Sequence, residues 1–342
     1  MNILVTGGLG FIGSHLVRRL LREPDVTVTN LDVLTYAGNP ANLTDVGQNS
    51  RYRWHQASVT DEKAVNQLLG QTRFDAVMHL AAESHVDRSI ESGLPFVTTN
   101  VLGTQVLLEA ARKHNIERFV HISTDEVYGS LGASGQFDES SPLHPNSPYS
   151  ASKAASDLLV LAAHRTYGQD VIVTRCSNNY GPYQFPEKLI PLYITNGLEG
   201  EPWPLYGDGE NIRDWLYVGD HVEALWLALT KGRAGEIYNI GGRNERSNRE
   251  VASALLALMS LPEETVVAVP DRLGHDRRYA INPGKAEVEL QFRPSVDWDA
   301  GLQKTVAWYR ENEKWWKDVK SGQYREFYHR HYSTLRTHTH ES

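Results

Sequence analysis

The sequence predicts a doubly wound α/β fold, a parallel sheet with helices on both faces, carrying a smaller C-terminal lobe. Three observations lead there. Short β-rich apolar runs alternate with helical stretches through the first half of the chain. The first run passes directly into a glycine-rich turn that opens a helix. After residue 179 prolines break the alternation. Buried parallel strands read as short continuous apolar runs, with helices as the crossovers between them. In such a sheet ligands sit at the carboxyl ends of the strands.

The expected strands are 2–6, 26–32, 76–81, 119–123 and 171–176, and the helices between them are 11–22, 61–69, 99–115 and 149–167. Pro182, Pro186, Pro191, Pro202 and Pro204, with Gly207 and Gly209, then interrupt the pattern. A helix returns at 218–229 and a strand at 236–240, followed by a helix near 248–259. These shifts predict a nucleotide lobe of 1–178 plus 214–240 and a second lobe of 179–213 plus 241–330. Residues 331–342 read as a polar tail, and the four histidines from His329 onward read as a frayed terminus rather than a metal site. A chain of 342 residues buries a substantial core and exceeds the usual size of one domain.

Charge and composition narrow the function. Lys plus Arg is 34 and Asp plus Glu is 42, a net charge of −8, which disfavours nucleic acid as a partner. No apolar run approaches the ~20 residues that cross a bilayer, so no membrane partner is expected. Met1 leads straight into a strand without a basic leader, which predicts a cytoplasmic protein. The single cysteine, Cys176, lies in an apolar run and reads as a small buried residue. No metal site is expected.

Gly7, Gly10 and Gly13 lie between the first strand and Phe11-Ile12, the start of the first helix. Glycines there allow a tight turn, close approach of backbone to a pyrophosphate, and close helix–sheet packing, while the helix N-terminus faces the phosphates. The spacing is G-x-x-G-x-x-G, and taken alone it is also compatible with an ordinary turn. Asp32 ends the next strand, 19 residues after Gly13, where a carboxylate binds a ribose 2′-hydroxyl and repels a 2′-phosphate. NAD is therefore favoured over NADP.

A second constellation follows. Tyr149 and Lys153 stand one turn apart on a helix face, a spacing at which the ammonium is expected to lower the phenol pKa. Tyr149 would then take a proton from a sugar hydroxyl. Ser123-Thr124-Asp125-Glu126 ends the preceding strand and supplies two adjacent carboxyl groups.

These motifs, with the stretches 80–89, 123–129, 175–191 and 274–279, resemble the extended short-chain dehydrogenases/reductases and, among them, the dTDP-glucose 4,6-dehydratase family. The likeness spans roughly residues 1–325. It implies a Rossmann fold, a dTDP-glucose substrate, and a tightly bound NAD regenerated in each turnover. Removing water across C5 and C6 of a hexose is hard until oxidation at C4 makes the C5 proton acidic. Elimination then needs a base at C5 and an acid at C6, after which hydride returns to C6. By resemblance Glu126 is the base, Asp125 the acid, and Thr124 a partner of the C4 oxygen.

The resemblance further places Leu34, Thr35, Ser58, Val59, Leu80, Ala81, Ala82 and Ser84 around the cofactor. Thr99, Tyr149, Lys153 and Asn179 are expected near its nicotinamide and ribose. Ser84, His85, Thr124, Asn178, Lys188 and Leu189 are expected on the sugar nucleotide. Pro204, Tyr206, Arg213, Asn248, Arg272, His275 and Tyr279 complete that set. Arg213 fits a guanidinium clamp on phosphate, or else a salt bridge with Asp214. Of Arg277 and Arg278, one serves structure only. Ser58 stands where the family carries an acidic residue toward adenine, so a charge-assisted bond is missing there.

A nucleotide-sugar 4-epimerase would need the transient oxidation but not the carboxyl pair, and a decarboxylase would leave Asp125 without a task. A non-catalytic NAD-sensing protein on this fold would have lost Tyr149, Lys153 or the pair, and all are present. Helices 99–115 and 149–167 carry Ala110, Ala111, Ala151, Ala154, Ala155, Ala162 and Ala163. Small residues let helices approach closely, and the family's homodimer packs this pair into a four-helix bundle.

Overall fold

The computed structural model describes residues 1–321; the polar tail 331–342 lies outside the described residues. The strands of the first half are β1 (Asn2–Thr6), β2 (Thr27–Asp32), β3 (Tyr52–Gln56), β4 (Ala76–His79), β5 (Arg118–Thr124) and β6 (Val171–Cys176). Next come β7 (Asn178–Tyr180), β8 (Trp203–Tyr206), β9 (Ile212–Tyr217), β10 (Ile237–Ile240), β11 (Glu245–Ser247) and β12 (Val266–Val269). The main sheet has seven strands in the order β10-β6-β5-β4-β1-β2-β3, with every pairing parallel. The strand order reverses between β1 and β4, which opens the crevice where such sheets bind ligands. β11-β9-β7 and β12-β8 form two small sheets beyond it.

The helices are α1 (Phe11–Leu21), α2 (Glu62–Gln71), α3 (Val86–Glu91), α4 (Leu94–Phe96), α5 (Gly103–Lys113), α6 (Pro148–Tyr167) and α7 (Leu189–Glu199). α8 (Val218–Lys231), α9 (Asn248–Met259), α10 (Trp298–Glu311) and α11 (Glu313–Lys320) follow. α1 and α8 bury Leu16, Val17, Leu20, Leu225 and Ala228 against one face of the main sheet. α2, α5 and α6 bury Leu68, Leu107, Leu108, Val160 and Ala163 against the other. A third core holds Trp203, Trp298, Tyr309 and Trp316 among α7, α9, α10 and α11.

Local chemistry sets the boundaries. Asp61 caps α2 by accepting from the Ala64 N–H. Ser147 and Ser150 form a capping box at α6, Pro148 follows the cap, and left-handed Gly168 ends the helix. The expected helix 99–115 begins earlier, at Leu94, and runs through a π-helical segment, Val97–Leu102, into α5. β3 had no apolar run to announce it, because it is the edge strand and four of its five residues are exposed. Among the described residues no helix is long and apolar enough to cross a membrane, and no group of His, Cys, Asp or Glu is placed to hold a metal.

Candidate active site

Two cavities open at the carboxyl ends of the main strands and share a wall. The larger, about 320 Å³, is lined by Gly7, Gly10, Phe11, Ile12 and Gly13 from the turn after β1. It is completed by Asp32 and Thr35 after β2, Ser58 and Val59 after β3, Leu80, Ala81, Ala82 and Ser84 after β4, and Thr99. A Cβ on Gly13 would stand 2.1 Å from the Gly7 carbonyl oxygen, and one on Gly7, at φ +73°, 2.8 Å from the Ala81 nitrogen. Only bare backbone fits. Gly10 precedes α1 without a side-chain cap, so nothing from a side chain satisfies the first-turn N–H groups there.

Asp32 accepts from Leu9 N–H at 2.9 Å and from Leu34 N–H at 2.8 Å, and burial raises its pKa despite both bonds. Leu34 does not line the cavity. It sits in the left-handed region at φ +64° and contributes its N–H to Asp32 instead. Ser58 shares a 2.7 Å hydrogen bond with the Thr60 hydroxyl.

Where the cavities meet, Thr124, Asp125, Glu126, Tyr149 and Lys153 come together with Asn178 and Asn179. Asp125 is buried beside Glu126 and Asp214, and desolvation and then those charges push its pKa well up, which favours its protonated form. Burial also raises Glu126, and Lys188, Arg272 and Arg213 limit that rise. The adjacent carboxyl groups are thus driven apart in proton affinity.

Tyr149 opens α6 and is hydrogen-bonded to Thr124. Its phenol is not lowered as the spacing predicts. Burial, and then Glu126, hold it well above the ordinary value, while the Lys153 ammonium donates to the Ile122 carbonyl at 2.8 Å.

The second cavity, about 160 Å³, is lined by His85, Asn178, Lys188, Leu189, Pro204, Tyr206, Arg213, Asn248, Arg272, His275 and Tyr279. Every residue expected on the sugar nucleotide therefore lines one cavity or the other. Arg213 does not pair with Asp214, whose carboxylate accepts from the backbone N–H of Gly242 and Asn244. The buried guanidinium donates to the Ile212 and Asp276 carbonyls and lies 4.2 Å over the Tyr279 ring, and among the described residues it donates to no carboxylate. Lys188 donates to the Ser84 carbonyl, His275 shares a 2.6 Å bond with Asp271, and Arg272 lies 3.4 Å from Asp87. Arg277 pairs with Asp208 and Arg278 with Glu245.

Sequence reasoning gave no role to two residues of this region. Asn100, in the π-helical segment, bonds both backbone groups of Glu83 and the Ser152 hydroxyl, and so pins the 80–84 loop to α6. Glu187 lines both cavities, near His85 and Arg88, with its pKa raised to about 7 by burial. Neither carries a spacing signal, since both act through tertiary contacts.

The GDP-mannose 4,6 dehydratase family matches residues 4–305. A dTDP-glucose 4,6-dehydratase of Neisseria meningitidis is 52% identical over 95% of this chain and 97% of the relative. A solved dTDP-glucose 4,6-dehydratase of Streptomyces venezuelae, with NAD bound, is 54% identical with a TM-score of 0.91, covering 94% of this chain and 100% of that one. A UDP-glucose 4-epimerase of Thermotoga maritima is 33% identical with a TM-score of 0.86, covering 92% and 100%.

Proposed function

The chain belongs to the GDP-mannose 4,6 dehydratase family, with dTDP-glucose 4,6-dehydratases as relatives of about half identity, and from that premise we propose that it converts dTDP-glucose to dTDP-4-keto-6-deoxyglucose. The observation that carries this reading is the junction of the cavities, where the adjacent carboxyl groups of Asp125 and Glu126 meet different surroundings. Burial and the neighbouring acids Glu126 and Asp214 favour a proton on Asp125, while Lys188, Arg272 and Arg213 oppose one on Glu126. An epimerase has no use for that difference.

The residues fit a dinucleotide. The bare backbone of Gly7 and Gly13 and the uncapped start of α1 suit a diphosphate, and Asp32 suits an adenosine ribose without a 2′-phosphate. Leu80, Ala81, Ala82, Thr99, Lys153 and Asn179 would complete the hold. Bound NAD supplies a hydride acceptor for C4, a hydride donor for C6, and a positive charge that favours the phenolate.

The remaining work falls to side chains. Tyr149, hydrogen-bonded to Thr124, takes the C4 hydroxyl proton, with the Lys153 ammonium beside it. Thr124 then steadies the C4 carbonyl oxygen. Glu126 takes the C5 proton, now α to that carbonyl, while Asp125 gives its proton to the departing C6 hydroxyl, which leaves as water. Glu126 returns a proton to C5 when C6 becomes a methyl group. Arg213, whose buried guanidinium donates to backbone carbonyls and lines the second cavity, suits the diphosphate together with Lys188 and Arg272.

The working division is a cofactor lobe of 1–178 plus 214–240 and a sugar-nucleotide lobe of 179–213 plus 241–330. A homodimer is proposed through the helices around α5 and α6, where Leu94, Val97, Leu102 and Leu158 are exposed. The test is incubation with dTDP-glucose and other nucleoside diphosphate glucoses without added cofactor. A 4-keto-6-deoxy product from dTDP-glucose supports the reading. Dependence on stoichiometric NAD, with NADH accumulating in solution, replaces it with a simple dehydrogenase.

A further inference from the structure

Behind Lys153 lies a buried ionic cluster of which the reaction above uses only that lysine. His121 on β5 faces Lys153 and Asp157, one turn apart on α6, and Arg175 on β6. Lys153 Nζ is 3.4 Å from His121 Nε2. His121 Nε2 also lies 3.4 Å from Asp157 Oδ1, and Arg175 Nε donates to Asp157 Oδ2 at 2.9 Å. His121 and Asp157 are fully buried and Arg175 is 2% exposed, its guanidinium 4.7 Å over the Tyr128 ring.

The charges here do not balance. Burial keeps His121 neutral, with its pKa pushed down to about 4. That leaves one carboxylate, Asp157, between two cations, Lys153 and Arg175. An unbalanced charge away from water is costly, and arginine does not shed its proton. Lys153 does, and burial brings its pKa down to about 8 while Asp157 pulls the other way.

His121 links the two sides. One imidazole nitrogen cannot accept from Lys153 and donate to Asp157 at once. With Lys153 charged, Nε2 accepts and the ring proton sits on Nδ1, which has no hydrogen-bond partner in the structure. With Lys153 neutral, the Nε2–H tautomer turns to Asp157. The other titratable groups facing Lys153 are Tyr149 on its own helix and Cys176 on β6, whose thiol burial pushes up to about 12. His79 on β4 lies one ring further, 5.3 Å from His121, and burial keeps it neutral. Of these groups only Asp157 and Arg175 carry a fixed charge.

We propose that Asp157 and Arg175, acting through His121, are positioning residues that set the proton affinity of Lys153 in opposite directions and so fix the alkaline limit of the reaction. The catalytic half of this proposal rests on the dehydratase reading; the electrostatic half does not.

The experiment follows Lys153 directly. The protein is labelled with ¹³Cε-lysine, the Lys153 signal is assigned by its loss in Lys153→Met, and its titration is compared with the alkaline limb of kcat/KM for dTDP-glucose. Removing an opposite charge at such range shifts a buried group by ~1–3 units, so Asp157→Asn should lower both the titration and the limb by about 1 pH unit or more. Arg175→Gln should raise both. The double variant, with the wild-type charge count restored, should return them close to their starting values. It also serves if Asp157→Asn alone, which strands the buried Arg175, fails to fold. Shifts of the same sign in both single variants, or a Lys153 signal unmoved by Arg175→Gln, overturn the proposal. Opposite shifts of Lys153 in a protein that makes no 4-keto-6-deoxy sugar would uphold the cluster and overturn the dehydratase reading instead.

Discussion

The two cavities that meet at Glu126 are built from different material. The end of the larger cavity proposed to hold the diphosphate and ribose is bare backbone and small residues, the turn from Gly7 to Gly13 with Ala81 and Ala82, beside the Asp32 carboxylate. The sugar-nucleotide side is long charged and aromatic side chains converging from distant segments: Lys188 before α7, Arg213 on β9, Asn248 on α9, and Arg272, His275 and Tyr279 beyond β12. A backbone site is defined by what must be absent, and one extra carbon destroys it. A side-chain site is defined by charges that have to be present, and it degrades by steps as each is removed.

The largest effect is therefore expected from a single methyl group. Gly13→Ala places a carbon on the Gly7 carbonyl oxygen, and the purified variant should carry no cofactor, read from the absorbance released on denaturation. Retention of full NAD content would mean that the turn is not the diphosphate site.

Arg213→Met should act more gently. It removes charge-assisted hydrogen bonds worth ~1.5–3 kcal/mol, so KM for dTDP-glucose should rise about 10- to 100-fold with the cofactor still bound. Steady-state kinetics over a range of salt concentrations checks this, since the wild-type KM should climb with ionic strength and the variant's less so. Equal loss of cofactor in both variants would break the contrast between the two sides.

A third effect reaches the frame beneath both cavities. His121 and His221 are buried and held neutral, with pKa values pushed from 6.5 to about 4 and about 3. The unfolded chain takes up protons below pH 6.5 that the folded protein refuses, so stability falls as pH drops through that range. Between pH 7.5 and 5.5 each imidazole should account for about 1 kcal/mol of the loss, measured from denaturant midpoints.

Trp315→Phe should cost about as much as one of them. It deletes the 2.8 Å bond by which the indole N–H holds the Asn42 side chain, which itself donates to the Leu9 carbonyl in the glycine turn. A drop of about 1 kcal/mol in unfolding free energy is expected. The smallest effect belongs to Arg277→Ala, whose exposed partner is Asp208; KM should stay unchanged.

The same contrast explains what the sequence disclosed. A turn, a strand end and a helix start are neighbours along the chain, so the glycines, Asp32 and the Tyr149–Lys153 step were readable from spacing alone. Arg213 and His275 meet only after folding, and they were found through resemblance to whole stretches of a family. β3 escaped because an exposed edge strand carries no apolar run, and α7, α10 and α11 because prolines and tryptophans blur their periodicity. The phenol of Tyr149 was misjudged for a related reason. Spacing places Lys153 one turn away, but it does not report burial or the Glu126 carboxylate, which outweigh the ammonium. The partner of Asp157, on a strand 18 residues further on, was equally invisible.

The central claim is that Asp125 and Glu126 form an elimination pair between the two cavities. Tracking hydrogen through one turnover tests it most directly. dTDP-glucose carrying deuterium at C4 should give a 4-keto-6-deoxy product whose C6 methyl holds one deuterium, and unlabelled substrate in heavy water should gain solvent deuterium at C5 through Glu126. Glu126→Gln should abolish the C5 label along with product, a loss of at least ~10²-fold. Deuterium that remains at C4 or leaves into solution as free reduced cofactor, or a Glu126→Gln protein that still labels C5, would contradict the account.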